Sequence, residues 1–180
     1  MKKLAVGDLT LGAISAALGT VFLVAGCVLP YGQLVLYLIS PLPLTMLLRG
    51  GSRGRWAYLL SFVVTGSAAL LMTGFNYIAL VPYAALFGWY PLLADITQRM
   101  TRRAAMVVRF VAFECGTLLI WRFTELLTFD TDRIGGYIFP LLAVGSVAAF
   151  FLCDAFVRRA MILTASLSQR MVKQTGARRR

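Results

Sequence analysis

The chain has 180 residues, 59% of them hydrophobic and 14% charged, with a formal net charge of +11 and no histidine. Mean hydropathy is +0.79; soluble domains are about 45–50% apolar and about 25% charged, so the composition excludes a soluble protein. The missing histidine removes His-based general catalysis, Ser-His and Cys-His nucleophiles and HExxH metal sites.

A helix crossing a bilayer needs about 20 mostly apolar residues. Six stretches meet that requirement: Leu9–Leu29, Gln33–Leu48, Trp56–Gly74, Tyr77–Ala94, Ala104–Leu127 and Gly136–Val157. The apolar runs lack the polar alternation of barrel strands. The expected class is therefore an all-α integral membrane protein of six transmembrane helices. Residues 1–160 form the membrane domain and residues 161–180 a basic cytoplasmic tail.

The first span carries LGAISAALG, where six of nine residues are Gly, Ala or Ser. Gly12, Ala13, Ser15, Ala16, Ala17, Gly19 and Thr20 fall on one arc of roughly 200°. Small residues let helix backbones approach closely in lipid, where apolar burial drives little association. Either the whole arc packs within the bundle, or one stripe packs inward through Gly12, Ala16 and Gly19 while Ala13 and Ala17 face outward. The stretch Val24–Cys27 resembles a lipoprotein cleavage site, but Asp8 and the polytopic remainder argue against processing there. Cys27, Cys115 and Cys153 are widely spaced within apolar segments and read as buried small hydrophobes.

The second span is short and contains Pro41 and Pro43, and the turn after it, GGSRG, is glycine-rich without the phosphate-loop pattern GxxxxGK[ST]. In the third span, TGSAA offers a second small-residue patch. Pro82, Gly88 and Pro91 bend the fourth, because proline removes a helical hydrogen bond. Trp89 and Tyr90, near its cytoplasmic end, read as interface anchors. The fifth span, FECGTLLIWRFTE, places Glu114, Arg122 and Glu125 within roughly 80° of one another. Arg122 and Glu125, at i and i+3, are spaced to pair. Charges at membrane depth are costly and usually face the bundle interior or a watery cavity.

Lys and Arg cluster at alternate connections: Lys2 and Lys3; Arg49, Arg53 and Arg55; Arg99, Arg102 and Arg103; Arg158, Arg159 and the tail. The intervening connections carry only Arg133. By the positive-inside rule both termini are cytoplasmic. The excess positive charge thus follows from topology and anionic lipid, and no nucleic-acid partner is expected. Acidic residues form no DxxD array, and no cofactor, metal site or enzymatic activity is expected.

With that orientation, Arg122 and Glu125 share the outer level with Tyr31, Gln33, Asn76, Tyr77, Asp130, Asp132, Arg133 and Tyr137. A polar, aromatic mouth over an apolar bundle suits a small molecule. The alternative is a structural Arg122–Glu125 pair, with Trp121 and Tyr137 as belt anchors.

The small-residue first helix, SPLPLTMLLRGGSRGRWAYLLSF and YAALFGWYPLLADITQR together resemble the substrate-binding S component of energy-coupling factor (ECF) transporters. The resemblance spans nearly the whole chain, through small residues, prolines and turn positions. It implies an S-component-like bundle in the bacterial plasma membrane, binding a vitamin or other micronutrient near the outer face. It also implies docking on a coupling transmembrane subunit driven by two ATPase subunits, through an AxxxA motif matched by Ala13 and Ala17. The substrate-binding residues expected are Arg122, Glu125, Asn76, Tyr77, Tyr31, Gln33 and Tyr137. The N-terminal histidine of cobalt and nickel variants is absent. The architecture also resembles MreD, the membrane scaffold of the bacterial cell-shape machinery, which implies a protein with no ligand.

Overall fold

A computed structural model describes residues 6–29, 33–128, 145–164 and 166, without the side chains of residues 6–8, 34, 77–79 and 124–128. Among these residues all regular structure is helical. The elements are α1 (Val6–Val28), α2 (Gln33–Ile39), a 3₁₀ helix (Pro43–Gly50), α3 (Ser52–Met72), α4 (Tyr77–Pro82), a π turn (Tyr83–Phe87), α5 (Tyr90–Thr97) and α6 (Arg102–Thr128). A last helix, α7, covers residues 145–164. Among the described residues, three helical stretches are long and apolar enough to cross a membrane: Leu9–Val28, Ser52–Met72 and Arg102–Phe123.

The interruptions have local causes. Pro41 and Pro43 lack amide donors, so the α ladder stops at Ser40. Bonds of 3₁₀ type replace it, from Leu44 N to Pro41 O (3.1 Å) and from Thr45 N to Leu42 O (3.0 Å). This apolar stretch is therefore broken rather than a straight span. Beyond it, the GGSRG turn serves backbone packing. Gly51 takes a φ of 61°, and a Cβ on Gly54 would collide with the carbonyl of Leu47. The turn thereby folds the 3₁₀ helix back onto the start of α3.

The bend in the fourth stretch follows its prolines and glycine. Pro82 closes α4, and Gly88 N reaches Tyr83 O at 2.8 Å, an i→i+5 bond. Backbone acceptors in lipid need partners within the protein. Here the Trp89 indole donates to Ala85 O (2.8 Å) and the Tyr58 hydroxyl to Gly88 O (2.6 Å). Tyr90 is a correction to the interface-anchor reading. It is 1% exposed and packs edge-on against Phe113.

On α1, the buried face holds Gly12, Ser15, Ala16, Gly19, Thr20 and Leu23, while Ala13 and Ala17 are exposed. The small-residue arc thus divides into an inner and an outer stripe. The inner one meets α3: Ser61 Oγ donates to Gly12 O and Thr65 Oγ1 to Ala16 O, each at 3.3 Å. These pairs advance together, so α1 and α3 run parallel. Between them, α2 and the 3₁₀ helix return antiparallel, with Gly26 against Tyr37 and Gly19 against Ser40 and Leu44. Of the cysteines, Cys153 is buried and Cys27 half-buried, but Cys115 is exposed on α6, contrary to the buried reading. The position of Cys115 between Glu114 and Gly116, both turned toward neighbouring helices, leaves it on the outer face.

Candidate functional site

Gln33 opens α2, Asn76 precedes α4, and Arg122 lies near the end of α6; all three side chains are exposed. Tyr77 and Glu125 lie within α4 and α6, but their side chains fall outside the described set. Tyr31, Tyr137, Asp130, Asp132 and Arg133 lie outside the described residues. The outer cluster is thus placed only in part, and the Arg122–Glu125 pairing falls outside what is described.

A cavity of about 760 Å³ lies elsewhere, between α2, the π turn, α6 and α7. Its walls are Val35 and Leu38 from α2, Leu86 and Phe87, Phe113 and Ile120, and Ala149 and Cys153 from α7. Thr117 and Ser146 are its polar lining residues. None of Gln33, Asn76 and Arg122 borders it. Two contacts pack the elements around this space. Gly116 packs against Ala85 O and Leu86 Cδ1, each 2.9 Å from where a Cβ would sit. On the other side, Phe113 and Phe150 meet edge-on at 5.7 Å, with Phe110 on Phe150 at 5.2 Å. The volume falls within the roughly 300–1,000 Å³ of small-molecule pockets.

Beside the cavity, Ser146 Oγ on α7 donates to Glu114 Oε2 at 3.0 Å. Glu114 Oε1 is buried with no hydrogen-bond partner among the described residues. Buried polar atoms are nearly always paired, and each exception marks strain or function. Glu114 therefore ties α6 to α7 through one oxygen and leaves an acceptor inside the bundle through the other.

Sequence reasoning missed the strongest polar cluster. Arg109 on α6 and Asp154 on α7 are 7% and 4% exposed, and Arg109 Nη1 meets Asp154 Oδ1 at 2.8 Å. Tyr90 donates to the same oxygen at 3.0 Å, and Arg158 Nη2 meets Asp154 Oδ2 at 2.9 Å. Burying charge is unfavourable unless it is paired and hydrogen-bonded, and here Asp154 is held from three directions. A signal for it existed in the sequence: Arg109 and Asp154 are opposite charges, each within an otherwise apolar stretch. A second pair, Arg55 Nε to Asp95 Oδ2 at 2.8 Å, is partly exposed and correspondingly weaker.

No family model, curated protein or solved structure matches the chain.

Proposed function

We propose that this protein is the membrane-embedded substrate-capture subunit of an ECF-type micronutrient importer in a bacterial plasma membrane. On this reading the six helical passes each cross the bilayer, with both termini in the cytoplasm. The supporting observation is the 760 Å³ cavity between α2, the π turn, α6 and α7. Its walls favour an apolar or amphipathic small molecule, oriented by Thr117 and Ser146 rather than by the outer charges. Ala13 and Ala17 form the strip that docks on the coupling transmembrane subunit, which works with two ATPases. Their exposure on α1 leaves them available for such a contact.

A second reading is a non-transporting scaffold resembling MreD. The exposed Gln33, Asn76 and Arg122, none of which borders the cavity, favour it. Purification from the native host followed by mass spectrometry separates the two. Capture requires two ATPases, a coupling subunit and a retained small molecule that is lost in Ala149→Trp. Copurification of peptidoglycan-synthesis membrane proteins without any small molecule would overturn it.

A further inference from the structure

A second cavity, of about 400 Å³, lies between the 3₁₀ helix, α5, α6 and α7. Arg49, Asp95, Gln98, Arg109 and Arg158 line its polar side. Leu48, Met161 and Ile162 line the apolar remainder.

The acidic groups around this cavity are already engaged. Asp95 is paired with Arg55, and Asp154 accepts from Arg109, Arg158 and Tyr90. Arg49 has no ion-pair partner among the described residues. Two guanidinium groups share the single charge of Asp154. The cavity therefore carries an uncompensated positive field on one side and hydrocarbon on the other.

Arg109 is preorganised for an anion. Its Nε donates to Ala105 O at 3.1 Å and its Nη1 to Asp154, which fixes the plane of the guanidinium. Its Nη2 makes no hydrogen bond to another described residue, and Arg109 lines the cavity. Planar guanidinium groups bind phosphate oxygens in pairs, with geometry that an ammonium does not offer. Basic pockets between membrane helices are suited to phosphate-bearing lipid headgroups.

We propose that this cavity is a phosphate site whose occupant is the headgroup phosphodiester of an anionic lipid. Arg109 and Arg158 bind the phosphate oxygens, Arg49 closes the site from the 3₁₀ helix, and Met161 and Ile162 contact the first methylenes of the acyl chains. The site is separate from the larger apolar cavity and does not depend on what that cavity binds.

Native mass spectrometry of the full chain in detergent tests this. The protein is titrated with phosphatidylglycerol, with phosphatidylcholine and, separately, with inorganic phosphate. Phosphatidylglycerol is expected to be retained in preference to phosphatidylcholine. Arg49→Gln and Arg158→Gln should each weaken retention about five- to tenfold. Arg102→Gln, an exposed charge on α6 outside the cavity lining, should leave it unchanged. Both lining arginines chosen are exposed, and Arg158→Gln leaves Asp154 held by Arg109 and Tyr90; unchanged thermal melting checks that the variants fold. Inorganic phosphate binding with the same dependence, in place of the lipid, would assign the site to a soluble phosphate and overturn the lipid assignment. Equal retention of both lipids, or equal loss in Arg102→Gln, would overturn the site itself.

Discussion

The α1–α3 seam and the α5–α6–α7 junction join helices by opposite means. At the seam, glycine, alanine, serine and threonine bring two parallel backbones together, and the polar contacts are 3.3 Å side-chain to carbonyl bonds. At the junction, the rings of Tyr90, Phe113 and Phe150 pack edge-on between the helices, and a buried aspartate bonded to two arginines and a tyrosine ties them together. The consequence is spatial. The seam leaves a crevice of about 170 Å³ beside Ala13 and Ser61, whereas the junction is flanked by cavities of about 760 and 400 Å³. Since apolar burial against lipid contributes little, helices associate through close packing or through polar pairs. This protein uses the first where it is solid and the second where it encloses space.

The sharpest way to break the contrast is at Asp154. Asp154→Ala leaves Arg109 buried without its counter-charge, and the expected loss is about 3–5 kcal/mol, read from denaturant or thermal unfolding in detergent. Asp154→Leu combined with Arg109→Leu should recover most of that loss, because the uncompensated charge is gone. A pair whose double variant is as unstable as the single one would show that packing, not charge, holds the junction.

The seam should fail by crowding instead. A Cβ on Gly19 would lie 2.9 Å from Ser40 O and 3.1 Å from Thr65 Cγ2, so Gly19→Val is expected to cost about 1–3 kcal/mol. Ala17→Leu, one stripe outward and exposed, should change monomer stability by less than about 0.5 kcal/mol. The pair separates inner from outer stripe in one melting experiment. If Ala17→Leu destabilises as much as Gly19→Val, the outer stripe is internal packing and the docking assignment fails.

Smaller effects are expected where bonds are long or exposed. Thr65→Ala removes the 3.3 Å bond to Ala16 O and should cost about 0.6 kcal/mol, the average for such bonds between membrane helices. Arg55→Gln breaks a partly exposed ion pair and should cost about 0.2–1 kcal/mol, less at high salt. A salt series on both variants separates them, since the Thr65 effect carries no charge.

Much of this was legible along the chain. Hydropathy marks the helical stretches, prolines 41, 43, 82 and 91 sit at the interruptions, and the period of 3.6 places the small residues of α1 together. Which part of that arc turns inward was settled by the carbonyls that Ser61 and Thr65 reach from α3, a register that α1 does not encode alone. The candidate site was less legible. Charge near the C-terminal end of the fifth apolar stretch drew attention to Arg122 and Glu125, while the cavity formed where side chains of ordinary apolar type meet across four elements. Tyr90 illustrates the same limit: an aromatic near a span's end satisfies the rule for an interface anchor, yet its hydroxyl found a buried carboxylate.

The sequence by itself determined that the chain is helical, strongly apolar and interrupted at its prolines, because composition and local backbone chemistry act within a few residues. Tertiary structure alone decided that Arg109 pairs with Asp154, 45 residues away, that Ala13 and Ala17 stay outside, and where space remains. Those outcomes depend on the registers of separate helices against one another, and register is set by the shapes and charges of both partners at once.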